Sequence, residues 1–501
     1  MRPSPPLYLF TACTLIASLA GCRPDDTGTD TASRTASDTA AAEHDSEVPV
    51  TSTSEEARKL YLEGRRLSDQ LRAQDARKLF EQAAAKDPSF ALAHYDLALV
   101  SPGPKEFVAH LGEAVKLSSQ ASEGERLMIL ALQAGSTGDS RKSLEYTEEL
   151  AAKYPGDARA QALLGFVYSG LQQFDKAVAA GTKATEVDPK YAPAYNLLGY
   201  AYMPQRKYAE AETAFKKYIE LVPGDPNPYD SYAELLMKTG RFDESIGQYR
   251  KALSIDPHFR TAHVGIAGNL MYQGKHDAAA AEAQKLLEAA GDDGDRRLAM
   301  QTRAIVYVDQ GRTTQAMREM EQVYSLDARL GDTLAMSNEA VQMGDILLEA
   351  GQADKAAGQY QRALALVEKS SLSAELKEFT RLADHYNLAR VALATGDVGA
   401  AKTHAEQYRS GVEATQDVGR IQTAHELAGM IALREKDYDG AVSHLEQANQ
   451  QDPYVLYTLA TAYRNKGDAG KAKELAKQAA GANSVPTLRY AFVRSKAMKL
   501  G

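Results

Sequence analysis

Residues 155–257 read PGDARAQALLGFVYSGLQQFDKAVAAGTKATEVDPKYAPAYNLLGYAYMPQRKYAEAETAFKKYIELVPGDPNPYDSYAELLMKTGRFDESIGQYRKALSIDP. Pro155, Pro189, Pro223 and Pro257 stand 34 residues apart each time, and the same residue classes return at the same offsets between them. The unit closed by Pro189 carries Leu164-Gly165, Tyr168, Phe174, Ala177 and Ala184. The next carries Leu198-Gly199, Tyr202, Tyr208, Ala211, Phe215 and Tyr218, and the third Tyr232-Ala233, Leu236, Gly240, Phe242, Ser245, Tyr249 and Ala252. Spacings of three, four and seven place these residues on one stripe of each of two helices, so each period predicts a helix pair that buries apolar surface between its members. Gly165, Gly199, Ala177 and Ala211 fall where the helices cross, because a larger side chain there would force the backbones apart. Gly240 and its counterparts supply the turn, and the proline stops the second helix.

Weaker copies extend the pattern both ways. Gly64, Leu67, Ala76, Phe80, Ala83 and Pro88 form an early one, and Gly429, Tyr438, Ala441, Leu445, Ala448 and Pro453 a late one. Gly274, Gly311, Gly351, Gly396 and Gly467 mark further turns, each followed five residues later by an alanine: Ala279, Ala316, Ala356, Ala401 or Ala472. The whole resembles the tetratricopeptide repeat, with its bulky-Leu-Gly-Tyr first half and its Ala, Phe, Ala and Pro second half. That resemblance implies an all-α solenoid of about twelve helical hairpins between about Ser54 and Gly481. Longer units with inserts such as SLDARLGD and EKSSLSAEL lengthen helices or loops, and Gly291–Gly294 is the expected break between an array over 55–291 and another over 295–481. The stretch 482–501, amphipathic and basic at its end, is expected to cap the last hairpin, since a terminal repeat must cover an apolar face.

The N-terminus has a different character. MRPSPPLYLFTACTLIASLAGC, residues 1–22, has an apolar run from Leu7 to Leu19, too short to cross a membrane stably where about 20 residues are needed. Leu19-Ala20-Gly21-Cys22 resembles the lipobox of bacterial lipoproteins. The resemblance implies a signal peptide over 1–21, a lipid thioether on Cys22, cleavage after Gly21 and acylation of the new amino terminus, including palmitate; several chains would make the anchoring stable. Arg23 in place of Asp leans, by the same resemblance, towards an outer membrane, with the chain facing the periplasm. Residues 22–54 are rich in Asp, Thr, Ser and Ala and bury little, so they read as a disordered tether spanning about 30 Å.

The 501 residues carry 58 Lys+Arg against 67 Asp+Glu, a net charge of −9 with no long basic run, so no nucleic acid partner is expected. There is no HExxH, no phosphate-binding glycine loop and no GxSxG elbow; cleavage would remove Cys13 and acylation consume Cys22. No catalytic residue, metal or cofactor is expected. His263, His385 and His425 occupy bulky slots of their first helices and read as packed, hydrogen-bonded imidazoles.

By resemblance to other tetratricopeptide proteins, first helices line a concave groove that holds a partner peptide or protein. The slots left free by packing carry Phe166, then Asn196, Tyr200 and Met203, then Met237, then Met271 and Tyr272. A stripe of adaptable thioethers beside aromatic rings suits an apolar ligand, although methionines at these positions can equally fill gaps between hairpins. A chaperone-tail receptor is not expected, because Ala162, Phe166, Asp230 and Glu234 stand where that family's carboxylate clamp needs Lys and Asn. The leading expectation is a lipid-anchored interaction scaffold. The alternative is a glycan-binding subunit or helical enzyme acting on envelope carbohydrate, which would rest on Asp230 and Glu234, one helical turn apart.

Overall fold

The computed structural model describes residues 46–69, 72–101, 103–413 and 417–501; the expected signal peptide, Cys22 and the expected tether as far as residue 45 lie outside the described residues. All regular structure among them is helical, and consecutive helices pair into twelve hairpins followed by one more helix. The chain divides into two compact units, with one division inside the ninth helix, between Leu197 and Leu198.

The first unit pairs α1 (Glu55–Asp69) with α2 (Ala73–Lys86), α3 (Ala91–Leu99) with α4 (Pro104–Leu117), α5 (Glu123–Ser136) with α6 (Ser140–Lys153), and α7 (Ala158–Gly170) with α8 (Phe174–Val187), and ends in α9 (Ala192–Tyr202). The second unit runs on through α10 (Tyr208–Leu221), α11 (Asn227–Lys238), α12 (Phe242–Ile255), α13 (Arg260–Tyr272), α14 (His276–Glu288), α15 (Asp293–Asp309), α16 (Thr313–Leu330), α17 (Thr333–Glu349) and α18 (Ala353–Glu368). It finishes with α19 (Ala374–Thr395), α20 (Val398–Glu413), α21 (Val418–Glu435), α22 (Tyr438–Leu445), α23 (Pro453–Lys466), α24 (Ala469–Ala480) and α25 (Leu488–Leu500).

The periodicity is visible in the second helices, which start at Ser140, Phe174, Tyr208 and Phe242 and each stop two residues before a repeat proline. Where they cross the first helices, glycine is a steric requirement: a Cβ on Gly199 would lie 2.3 Å from the Phe215 ring, and one on Gly165 3.3 Å from the Ala177 carbonyl oxygen. Gly240 ends α11 at φ +77°, and the N–H of Arg241 then donates 2.8 Å back to the carbonyl of Leu236, closing the helix end. Gln172, Arg206 and Lys436 hold the same left-handed position without glycine. The inserts of the later units are absorbed as helix length, up to 22 residues in α19.

Two expectations are modified. Gly291–Gly294 is a short link in which Asp292 caps α15 through the Asp295 N–H and Arg260 pairs with Asp295 at 2.9 Å; the compact division falls about a hundred residues earlier, within α9. The last residues assigned to the tether are docked. The N–H groups of Val48, Thr51 and Thr53 donate to Asp157, Glu125 and Asp87 at 2.9, 2.7 and 2.7 Å. Val48 packs so closely that a Cβ on Gly124 would sit 2.8 Å from it. Three carboxylates meet backbone donors that composition alone marks as solvated.

Candidate interaction surface

In each unit the first helices of successive hairpins share one face. In the first unit that face is polar and closed by long-range bonds. Arg159 on α7 donates to the Tyr61 hydroxyl on α1 (3.0 Å) and to Asp96 on α3 (2.8 Å), and Tyr61 donates to the other Asp96 oxygen at 2.7 Å. Burial, and then the Asp96 carboxylate, push the Tyr61 phenol well up, so it stays a donor. Burial also raises Asp69, at the end of α1, to about 6. Phe166 is half-buried beside Ala162, Ala184, Ala194 and Leu197. Asn196 is buried, and among the described residues its Oδ1 accepts no hydrogen bond.

In the second unit, Tyr200 stands edge-on to Phe215 at 5.2 Å and donates to Glu234 at 3.0 Å. Met203 is half-buried against the same cluster. Asp230 is buried, and Glu234, half-buried, accepts the hydrogen bond of the Tyr200 hydroxyl. Met237 and Met271 are both 0 % exposed and join one core with Ala233, Ile266 and Ala267. The gap-filling alternative describes these two thioethers, and Tyr272 is likewise covered.

What covers them is the chain's own C-terminal segment. Ala482, Tyr490, Phe492 and Val493 belong to the same core as Met237, Met271 and Tyr272. Lys238 donates to the main-chain carbonyl of Ala482 at 2.7 Å, and the Tyr272 hydroxyl donates to that of Ser484. Val485 packs on Val264, Leu286 and Ala299. Pro486 fills a notch over Gly268, where a Cβ would come within 2.7 Å of the proline ring. Arg494 on α25 donates 2.8 Å to the carbonyl of Tyr272 and pairs with Asp309 at 3.0 Å, and His276 reaches the same carboxylate at 2.8 Å. Tyr490 packs on Tyr272 with ring centres 5.5 Å apart. Helix α25 therefore does more than cap α23 and α24: it also lies against α15 and α17. The expectation that Met237, Met271 and Tyr272 are open to a partner is corrected accordingly. The apolar first-helix face is not left to water when a segment of the same chain can bury it.

Lys238 and the cover itself escaped the sequence reading. The signal was there in Tyr490, Val493, Arg494 and Ala497, an i, i+3, i+4, i+7 stripe that places an arginine among apolar residues. Burial, with Arg206 nearby, lowers the Lys238 ammonium to about 8. The imidazoles are paired between helices: His385 with His404 at 3.2 Å, His425 with His444 at 3.2 Å, and His263 with Glu282 at 2.7 Å. Among the described residues no three potential metal-ligating side chains come together, and no helix is long and apolar enough to cross a membrane.

Tetratricopeptide-repeat family profiles match residues 61–101, 167–226, 232–295 and 386–455, and a second such profile matches 432–489. Among curated proteins none matches the sequence. Among solved structures, a tetratricopeptide repeat protein from Parabacteroides merdae is 17% identical, with 52% of this chain and 100% of that one aligned at a TM-score of 0.36. The thermophilic repeat protein TTC0263 of Thermus thermophilus is 23% identical over 43% of this chain and 98% of its own, at a TM-score of 0.29. MamA from Desulfovibrio magneticus is 17% identical over 34% and 99%, also at 0.29. With the profiles spanning more than half of its length, the chain belongs to the tetratricopeptide-repeat family.

Proposed function

We propose that this chain is a lipid-anchored interaction scaffold of a bacterial envelope, held by acyl groups on Cys22 at an outer membrane and facing the periplasm. Its first-helix face binds a peptide or protein partner. The observation that carries the binding reading is that this face accommodates a non-helical polypeptide segment: Lys238 and Tyr272 take two main-chain carbonyls of residues 482–487 while Gly268 makes room for a proline ring. Main-chain recognition combined with side-chain pockets is the general physical basis of peptide binding. The anchor rests on the residues Leu19 to Cys22 alone.

Photoreactive amino acids placed at Phe166 and Met203, the two half-buried candidates, test the binding surface in intact cells. The expected outcome is crosslinking of one partner species at either position, with loss of capture in a Tyr200→Ala variant. No capture at either position refutes the assignment. For the anchor, Cys22→Ser should abolish incorporation of labelled palmitate and move the protein out of the membrane fraction; unchanged fractionation refutes it.

A further inference from the structure

We propose that the C-terminal segment, Ala482–Leu500, is an exchangeable occupant of the second unit's peptide site, and that the partner admitted there has its chemistry: a non-helical Val-Pro stretch leading into a basic amphipathic helix. The inference rests on the reading of the first-helix face as a peptide site, and names what the site takes and what keeps it closed.

The contacts are those of a bound ligand. Between α24 and α25 the chain is non-helical, turning through a left-handed Asn483 at φ +36°, and it is gripped through the carbonyls of Ala482 and Ser484, groups that any peptide offers. Among the described residues, the Lys238 ammonium has as its hydrogen-bond partner this carbonyl and no carboxylate. A half-buried cation held that way lacks the carboxylate that would compensate it in a purely structural contact. The hairpins α11–α12 and α13–α14 are complete without the segment, so its departure exposes a face rather than breaking a repeat.

Selectivity comes from charge and shape. Residues 481–501 carry Arg489, Arg494, Lys496 and Lys499 and no acid. Four carboxylates receive three of them: Arg489 bonds Asp452 at 2.6 Å and Glu426 at 3.0 Å, Lys496 bonds Glu349 at 2.8 Å, and Arg494 bonds Asp309. Acidic residues so grouped on the receiving face favour a cationic helix and repel an acidic one. The notch at Gly268 favours proline, and the pocket of Val264, Leu286 and Ala299 a β-branched residue before it. Because the occupant is covalently attached, it competes at a high effective concentration, so the closed form dominates until a partner of matching chemistry arrives.

The test uses the full chain carrying a protease site inserted after Gly481, cut after folding, with a fluorescent synthetic peptide of residues 481–501 as probe. The peptide should exchange saturably into the cut protein, be chased by unlabelled peptide, and bind the uncut chain at least about 100-fold more weakly. A peptide carrying Pro486→Glu and Arg494→Glu should fail to compete, and raising salt should weaken exchange. Four results overturn the proposal: no exchange while the cut protein stays helical by circular dichroism, equal binding to cut and uncut chains, equal competition by the altered peptide, or loss of helical signal as the fragment leaves. If any of these occurs while crosslinking at Phe166 and Met203 still captures a partner, the scaffold reading survives and only this inference falls. Exchange without any such capture would remove the Phe166 and Met203 assignment and leave the tail site standing.

Discussion

Replacing Gly344 by alanine should destabilise the second unit, although alanine is the better helix former. A Cβ at Gly344 on α17 would stand 2.4 Å from Cε1 and 2.7 Å from Cδ1 of Tyr360 on α18. Ordinary contact requires the ring to retreat by about 1 Å. It has nowhere to go. Tyr360 is 1% exposed, its hydroxyl donates to Asp345 at 2.8 Å, and Asp345 is held by Arg390 at 2.6 Å. Overpacking of this kind costs about 1–3 kcal/mol, against which the helix gains about 1 kcal/mol from losing a glycine. The net expectation is a loss of about 0–2 kcal/mol, towards the upper end because the ring is pinned. Gly358, in the interior of α18, is the control: a Cβ there meets nothing within 4 Å, so Gly358→Ala should gain about 0.5–1 kcal/mol. Urea unfolding followed by circular dichroism, with amide hydrogen exchange across α17 and α18 to localise the change, measures both. Adding Tyr360→Leu should return part of the Gly344→Ala loss. A Gly344→Ala protein as stable as the parent, beside a stabilised Gly358→Ala, would show that the close approach of the two helices does not limit this position.

Arg159→Ala leaves Asp96, 2% exposed, without its cation, and should cost about 3–5 kcal/mol in the first unit by thermal or urea melting. Glu339 is raised to about 8, by burial first and then by the Asp327 charge. Below pH 8 the folded chain therefore keeps a proton that the unfolded chain releases down to its ordinary carboxylate range, so this group's contribution to stability falls as pH rises through 8. Glu339→Gln should be the more stable protein at pH 9 and flatten that slope; an unchanged slope refutes the assignment. The opposite sign applies to His385, lowered by burial and then by His404. The unfolded chain binds its proton first, so stability is lost as pH drops below about 6.5, and His385→Leu should lessen the loss seen in melting points between pH 7.5 and 5.5. Gln172→Gly removes a left-handed residue at φ +59° and should stabilise by about 1 kcal/mol in the same assay.

What could be read before any coordinates follows from the range of the contacts involved. A hairpin repeat touches its neighbours, so the alternation of Gly199 with Phe215, or of Gly344 with Tyr360, lies within one helix pair and leaves a periodic trace. The count of hairpins and the places where second helices stop are legible for that reason. The turns at Gln172, Arg206 and Lys436 carry no glycine, because the packed helices on either side impose a conformation that local propensity does not announce. The C-terminal cover escapes for a stronger reason. Lys238 meets Ala482 across 244 residues and Arg494 meets Tyr272 across 222, with no periodic partner to betray either contact. Met237 and Met271 were correctly placed on first helices, yet whether such a side chain is groove or core depends on what else reaches it, here a stretch beginning more than two hundred residues away. The same distance bears on function. A contact that no repeat requires for its own folding is one that can be exchanged without unravelling the array, which makes the basic stripe of α25 and the acidic face receiving it the place where closure and partner binding compete.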